Sequence, residues 1–317
     1  MRFLDRTRRS RTRVLRWSIV TSAPKGDAGE QWGDTWFARD LADALERAGQ
    51  HVTVVSRAGA NSHKRIDDDV VVVLRGLRAV EPPADRRGVW MLWVISHPDL
   101  VTEEEMSNYD AVFAASEYWR GPSGGEVTPL LQATAPRRFH PDAAPKDSGA
   151  RVLFVGSTRS EFRPSVRGAL ASRRADDLTV YGVGWEEFLP GDRISGEFVP
   201  NAALPEKYAG AEIVLNDHHH DMAKAGFLSN RLFDAVASGA RVLSDRAAGI
   251  DEVFGSAVVV FENEDDLARI LEQPMDEVFA DRAERLAHAE RIAAEHSFDA
   301  RAAVLIDRAR VLRERER

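Results

Sequence analysis

Hydrophobic residues along the chain form short uninterrupted runs, separated by amphipathic or polar segments. Such runs predict ten buried strands, over residues 17–22, 51–56, 69–74, 89–95, 111–116, 151–155, 178–181, 212–215, 241–244 and 257–261. After the first strand, apolar residues recur at helical spacing, at Trp36, Phe37, Leu41, Ala44 and Leu45. The pattern predicts an α/β protein whose parallel sheets are covered by helices, with a helical end over residues 275–317.

A break in this pattern predicts two domains. Residues 141–149 are rich in Pro, Asp and Ala and lack a period, which is typical of a linker. The strand pattern then begins again. The predicted units are a basic arm, an N-terminal domain, a linker, a C-terminal domain and a final helix, over residues 1–16, 17–140, 141–149, 150–294 and 295–317.

Composition and charge narrow the function classes. The 317 residues include no cysteine, which excludes disulfide scaffolds, thiol catalysis, zinc ribbons and iron–sulfur clusters. No apolar run reaches the roughly 18 to 20 residues of a membrane span, and no secretory leader pattern is present. We therefore expect a cytoplasmic protein.

The net charge of −8 is unevenly distributed, because residues 1–16 carry seven Arg against one Asp. One hypothesis is peripheral contact of this arm with the inner face of a membrane, where each basic residue contributes about 1 kcal/mol. The alternative is a solvated tail. The acidic remainder opposes broad binding to nucleic acid, so we expect no nucleic-acid partner.

The segment over residues 211–245 carries the clearest candidate chemistry. It predicts a strand, a polar loop, a helix that begins after Ser229 and ends at Gly239, and another strand. Free N–H groups at this helix start, with Arg231 in the first turn, suit a diphosphate. Asp234 suits the vicinal hydroxyls of a ribose. The alternative is that Arg231 and Asp234 form an ordinary surface ion pair.

These residues resemble the donor-binding half of GT-B glycosyltransferases, in particular the spore-maturation-type subgroup related to family four. The similarity lies in GFLSNRLFDAVASGARVLSD, AAGIDEVF and ENEDDLARIL, over residues 226–245, 247–254 and 262–271. Further similar segments follow the family's order, at residues 92–119, 130–142, 154–166 and 296–306. The resemblance covers about residues 17–312. It implies two Rossmann-like parallel-sheet domains that face each other across a cleft, with the last helix crossing back to the first domain.

The resemblance also implies a reaction, the transfer of a sugar from a nucleotide-diphosphate donor to an acceptor hydroxyl without a metal. Asp234 matches the family's ribose-binding acidic residue, and His97 matches a cleft histidine that contacts the sugar or acts as general base. A second family glutamate, eight residues earlier, is replaced here by Gly226. Arg163 and Arg231 are the preferred phosphate ligands, ahead of Arg159. The predicted donor site comprises Gly156, Ser157, Arg163, Gly182, Ser229, Asn230, Arg231 and Asp234.

Two segments, one acidic and one rich in histidine, have residues that bind metals in other proteins. We nevertheless predict no metal site and no cofactor. Asp67, Asp68 and Asp69 immediately precede a buried strand, where acidic residues commonly mark a solvated strand start. The side chains of the consecutive residues 218–220, all histidine, point in different directions and cannot converge on one ion.

The acceptor and the reaction remain open to alternatives. The loop before the first helix offers three acceptor-side carboxylates, Asp27, Glu30 and Asp34, and lacks a dinucleotide-binding glycine motif. The acceptor is expected to be a glycan, a lipid-linked or a small molecule. The alternatives are a nucleotide-sugar epimerase or hydrolase on the same fold, and a two-domain binding protein that performs no chemistry.

Overall fold

The computed structural model describes residues 14–60, 62, 65–144 and 149–315. Residues 1–13 of the predicted basic arm and residues 145–148 of the predicted linker lie outside the described residues.

The first half of the chain forms a six-stranded parallel sheet in the order β2-β1-β3-β4-β5-β6. Its strands are β1 (Arg16–Val20), β2 (His51–Val55), β3 (Val70–Arg75), β4 (Val89–Val94), β5 (Ala111–Ala114) and β6 (Thr128–Pro129). Every residue of β3 and β4 is buried, because helices or loops cover both faces of these central strands. The order reverses between β1 and β3.

The second half forms another six-stranded parallel sheet, in the order β12-β11-β10-β7-β8-β9. Its strands are β7 (Val152–Val155), β8 (Leu178–Tyr181), β9 (Ile194–Gly196), β10 (Ile213–Asn216), β11 (Arg241–Asp245) and β12 (Val258–Phe261). This is the strand order of the dinucleotide-binding doubly wound fold, and it reverses between β7 and β10.

Helices connect these strands and cover both sheets. They are α1 (Asp27–Glu30), α2 (Gly33–Arg47), α3 (Glu103–Ser107), α4 (Pro164–Ala171), α5 (Leu204–Gly210), α6 (His220–Ala225), α7 (Asn230–Ala237), α8 (Ile250–Phe254), α9 (Glu264–Leu271), α10 (Met275–Val278), α11 (Arg282–Glu295) and α12 (Phe298–Arg315). Of the helices in the described ranges, none combines the length and the apolar character needed to cross a membrane.

The ten predicted strands are all present, and the predicted class of two Rossmann-like sheets is confirmed. Among the strands of the described residues, the pattern missed β6 and β9, which have two and three residues and are too short to show a period. Each sheet has an apolar core on both faces.

The last helix, α12, belongs to the core of the first domain. Its buried face packs with α2 and β4, and Arg47 and Asp299 form an ion pair of 2.7 Å between α2 and α12. The buried Arg301 donates to the carbonyl oxygens of Leu131 and Gln132 at 2.7 and 3.0 Å. The chain therefore leaves the first domain, builds the second, and returns.

Candidate functional site

A cavity of about 430 Å³ lies between the two domains, at the carboxyl ends of strands from both sheets. Its wall includes residues that directly follow β4, β7, β8 and β10. In doubly wound folds, ligands bind outside the carboxyl ends of the strands, where the strand order reverses. The reversal between β7 and β10 borders this cavity directly, so the topology alone marks it as the candidate site.

Arg231 is fixed at the reversal of the second sheet. Its Nη1 donates to Oδ1 of Asn216 at the end of β10 at 3.0 Å, and its Nη2 donates to the carbonyl of Val155 at the end of β7 at 2.5 Å. A Cβ on Gly156 would lie 2.8 Å from Nη2, so the glycine permits this close approach. The result is a rigid, partly exposed guanidinium on the cavity wall, a group that suits phosphate oxygens.

Asp234 lies one helical turn beyond Arg231 and also lines the cavity, with 7% of its surface exposed. Its Oδ2 accepts a hydrogen bond of 2.8 Å from Asn230, whereas its buried Oδ1 has no partner among the described residues. Burial raises the pKa of this carboxyl well above its usual range. The two side chains do not form the surface ion pair that was the alternative, because each is engaged elsewhere. Asp234 thus places a carboxylate, which is a hydrogen-bond acceptor, on the cavity wall.

The arginines of the β7–α4 loop differ in their surroundings. Arg163 is buried and forms an ion pair with Asp217, whose other oxygen accepts from the Ser165 hydroxyl at 2.6 Å. Its guanidinium therefore ties this loop to the end of β10. Arg159 lines the cavity and has a left-handed backbone (φ 54°), and its side chain makes no hydrogen bond or ion pair within the described chain. Burial and the nearby Arg163 and Arg231 lower its pKa. Of the two, Arg159 has the guanidinium available to a ligand.

The other predicted donor residues surround the same space. Ser157 and Gly182 line the cavity, and Gly182 has φ 147°, with its Cα so close to the Gly156 carbonyl that a Cβ would lie 2.1 Å from that oxygen. Asn230 and Ser229 line it at the start of α7. The lining also includes aromatic and apolar side chains from the end of β8 and from the chain after β9, at Tyr181, Phe198, Val199, Leu204 and Tyr208. Aromatic side chains of this kind stack well against a planar ring.

His218 positions the start of α7, a role that the sequence analysis missed. Its side chain is buried, its Nδ1 lies 2.6 Å from Oδ1 of Asp245, and its Nε2 accepts from the Ser229 N–H at 3.0 Å. The neutral tautomer with hydrogen on Nδ1 satisfies both contacts. The Ser229 side chain makes no capping hydrogen bond, and His218 instead accepts a hydrogen bond from a backbone N–H at the start of this helix.

His97 lies beside the cavity rather than on its lining. It is half-buried in a left-handed conformation (φ 51°), and its ring centroid is 6.5 Å from that of His219, which does line the cavity. Burial and the positive charge of Arg159 lower the pKa of His97. The same causes, with Arg163, lower the pKa of His219 to about 4, so both rings are neutral near pH 7.

The two segments discounted as metal sites make other contacts. Asp67, Asp68 and Asp69 each form an ion pair with an arginine, and the three consecutive histidines have different surroundings, with His220 exposed. A different group, His97 with Asp99 and Asp221, has potential ligand atoms within 4.8 Å of one another. The absence of a required metal stays a prediction.

The structure separates the three predicted acceptor-side carboxylates. Asp27 is exposed and does not line the cavity. Glu30 borders it but forms a two-bond ion pair with Arg39, both contacts being 2.6 Å. Asp34 lines the cavity, and burial raises its pKa to about 6 against the opposing charge of Arg159.

Arg138 is a further site residue that the sequence analysis missed. It donates to both carboxylate oxygens of Asp40, at 2.8 and 2.6 Å, and to the carbonyl of Asn201 in the second domain at 3.2 Å. Its guanidinium lies 5.5 Å from the ring centroid of Trp36. It therefore joins the two domains on the cavity wall. The sequence analysis could not find Arg138, because its role depends on contacts between residues that are far apart in sequence.

Comparison with known proteins agrees with this architecture. Residues 160–307 match a family model described as glycosyl transferase-like. AviGT4, a glycosyltransferase involved in avilamycin A biosynthesis, is 18% identical with a TM-score of 0.66 over 94% of this chain and 98% of that one. Sucrose-phosphate synthase from Thermosynechococcus elongatus is 15% identical, with a TM-score of 0.62 over 94% and 99%.

An α-glucosyltransferase in complex with UDP-glucose and DNA containing an abasic site is 12% identical, with a TM-score of 0.60 over 90% of this chain and 96% of that one. Comparison with curated protein sequences finds no match. At these identities, the likeness to solved structures shows the fold. The chain therefore has the two-domain GT-B fold, and its second domain carries the match to the glycosyl transferase-like family model.

Proposed function

We propose that this protein is a glycosyltransferase that moves a sugar from a nucleotide-diphosphate donor to an acceptor hydroxyl without a metal. One observation carries the proposal. At the strand-order reversal of the second sheet, the fixed guanidinium of Arg231 lies one helical turn from the carboxylate of Asp234, which lines the same cavity. This pair offers a cation for the diphosphate and an acceptor for the ribose hydroxyls, at the position where such folds bind nucleotides.

The same wall suits the chemistry of the leaving group. Sugar transfer leaves negative charge on the diphosphate, and preorganised cations stabilise that charge in a site that excludes water. Arg231 is held by two hydrogen bonds, and Arg159 is free to approach the ligand. His97, neutral and beside the cavity, is proposed to contact the donor sugar. Arg163 holds the loop in place through Asp217.

The closer relationship to the spore-maturation-type subgroup forms part of the same proposal. Its support is Gly226, which replaces a glutamate of the wider family. The residue has φ 72°, and a Cβ there would lie 2.8 Å from the ring of Tyr118. A glutamate at this position would require Tyr118, which contacts Gly226 across the two domains, to move. The packing therefore favours glycine here over the glutamate of the wider family.

The donor, the acceptor and the cellular location of the protein are further parts of this proposal. The donor to test first is a UDP-sugar, because an α-glucosyltransferase of similar fold binds UDP-glucose. We propose a glycan, lipid-linked or small-molecule acceptor. The basic arm would permit peripheral contact with an anionic membrane on the cytoplasmic side.

Calorimetry with UDP, GDP, dTDP, CMP and NAD, each with and without EDTA, tests the donor site. The proposal expects one nucleoside diphosphate to bind with the same affinity in EDTA, and its sugar conjugate to be turned over. Free sugar as the sole product in the presence of acceptors would instead indicate a hydrolase, and an altered sugar still attached to the nucleotide an epimerase. Binding of NAD alone, or of none of these ligands, would contradict the proposal.

A further inference from the structure

Three side chains that can bind a metal converge beside the cavity, where α6 packs against the turn that follows β4. His97 and Asp99 belong to this turn, and Asp221 is the second residue of α6. Each side chain offers one ligand atom, an imidazole nitrogen or a carboxylate oxygen, and the three atoms lie within 4.8 Å of one another. The turn and the helix are far apart in sequence, so the tertiary fold brings these groups together.

The packing of α6 fixes the position of this cluster. Met222, which follows Asp221, is buried in the core on one face of the first sheet, and so is Phe227, just beyond the helix. The Ser116 hydroxyl donates to the last carbonyl of α6 at 2.6 Å. The helix follows a strand of the second sheet and is nevertheless anchored to the first domain. Core packing therefore sets where Asp221 lies relative to His97.

The three side chains are available to a ligand. The neighbouring Asp217 is paired with Arg163, whereas within the described ranges no ion pair or side-chain hydrogen bond engages the two carboxylates or the imidazole of the cluster. Burial and the positive charge of Arg159 lower the pKa of His97, so its ring is neutral near pH 7, and the neutral ring is the form that binds a metal. A divalent cation would also neutralise two carboxylates whose charges otherwise repel each other.

We propose that His97, Asp99 and Asp221 bind one Zn²⁺ ion, and that the bound ion inhibits sugar transfer. An imidazole nitrogen combined with carboxylate oxygens is a donor set that Zn²⁺ accepts, whereas Mg²⁺ and Ca²⁺ prefer oxygen ligands alone. Three protein ligands leave the remaining coordination to water. The proposed transfer needs no metal, so this ion has a regulatory role.

Inhibition follows from the position of His97, and this part of the inference rests on the proposed function. The histidine lies beside the cavity, so its ring would have to turn towards the cavity to contact the donor sugar. A cation shared with Asp99 and Asp221 holds the ring against α6 instead. Arg231 and Asp234 are not part of the cluster, so the nucleotide should still bind.

Calorimetry with Zn²⁺, and separately with Mg²⁺, tests the site in protein freed of metals by EDTA and dialysis. The expected result is one Zn²⁺ ion per protein and much weaker binding of Mg²⁺. Asp99→Ala and Asp221→Ala each remove one ligand and should weaken Zn²⁺ binding at least about tenfold. His220→Gln, at an exposed histidine next to Asp221 and outside the cluster, is the matched control and should bind Zn²⁺ as wild type does.

Turnover of UDP-glucose, or of the sugar nucleotide that binds in the screen, is then measured with and without Zn²⁺. Wild type should lose most of its kcat at saturating Zn²⁺, keep its affinity for UDP, and recover in EDTA. Asp99→Ala, at an exposed position, should match wild type without Zn²⁺ and resist inhibition. The same variant controls for Zn²⁺ that binds the diphosphate of the donor in solution.

No binding of Zn²⁺ to wild type, or wild-type affinity for Zn²⁺ in Asp99→Ala, would overturn the metal site. Bound Zn²⁺ that leaves turnover unchanged would overturn the inhibition. A wild-type protein that binds Zn²⁺ at this cluster but neither binds nor turns over any sugar nucleotide would overturn the proposed function and leave the metal site standing.

Discussion

Replacement of Asp234 by Asn should weaken nucleotide binding and, in the same protein, leave the fold unchanged or more stable. Burial desolvates the ionised form of Asp234, and the nearby Thr134, Arg138 and Asn230 offset this cost only in part, so the pKa is raised. Asn preserves the shape and can still accept the hydrogen bond that Asn230 donates. The change removes the charge and little else. A residue kept for folding would not show this opposition between stability and binding.

The magnitudes follow from the contacts. A hydrogen bond to a charged group contributes about 1.5 to 3 kcal/mol, which corresponds to about a tenfold to 150-fold weaker Kd for the nucleoside diphosphate. For stability, the raised pKa gives the sign. At a pH well below the unfolded pKa of about 3.9, the carboxyl of Asp234 is protonated in both the folded and the unfolded protein, and the variant resembles wild type. As the pH rises towards the folded pKa, wild type loses stability relative to Asp234→Asn.

Calorimetry with UDP and thermal unfolding at several pH values measure both effects. Asp265→Asn, an exposed position on α9 of the same domain, is the matched control and should change neither quantity. Nucleotide affinity at the wild-type level in a well-folded Asp234→Asn protein would refute the assignment of this carboxylate to the ribose. If Asp234→Asn melts at a lower temperature than wild type, and if this difference grows as the pH rises, the argument about the buried charge is refuted.

Two other substitutions probe the site. Arg231→Ala should weaken the binding of UDP more than the binding of uridine, because the guanidinium is assigned to the diphosphate. Calorimetry with the two ligands measures this difference. Equal weakening of both would indicate a general disturbance of the site. His218→Ala should lower the melting temperature and the UDP affinity together by removing the link to the start of α7, and wild-type values for both in that variant would contradict this role.

The fold was predictable because its signal is local. A strand buried on both faces is a continuous apolar run, and β3 and β4 are buried at every residue. Helix α7 was predictable from its apolar spacing and flanking residues, so Arg231 and Asp234 were already expected one turn apart on the same helix. The two missed strands have no such signal, since two or three residues cannot show an alternation.

The pairing of polar side chains was not predictable, because it joins distant parts of the chain. Arg163 and Arg159 belong to one loop and look equivalent in sequence. Asp217, 54 residues from Arg163, distinguishes them by binding only the former. Arg138 binds Asp40, which is 98 residues away in sequence. A sequence pattern reports which face of an element is apolar, whereas such pairs depend on how the strand ends are brought together.

The division of charge between the two walls connects the fold to the proposed chemistry. The arginines of the second domain and the carboxylate of Asp34 belong to different domains, so their interaction depends on how closely the domains approach. Burial raises the pKa of Asp34, whereas Arg159 across the cavity lowers it. Opening of the cleft would weaken both influences and return the carboxyl to its weaker basicity in water. Because burial outweighs the arginine, Asp34 holds a proton more firmly when the two walls are close together, so the charge on the first-domain wall depends on closure of the cleft.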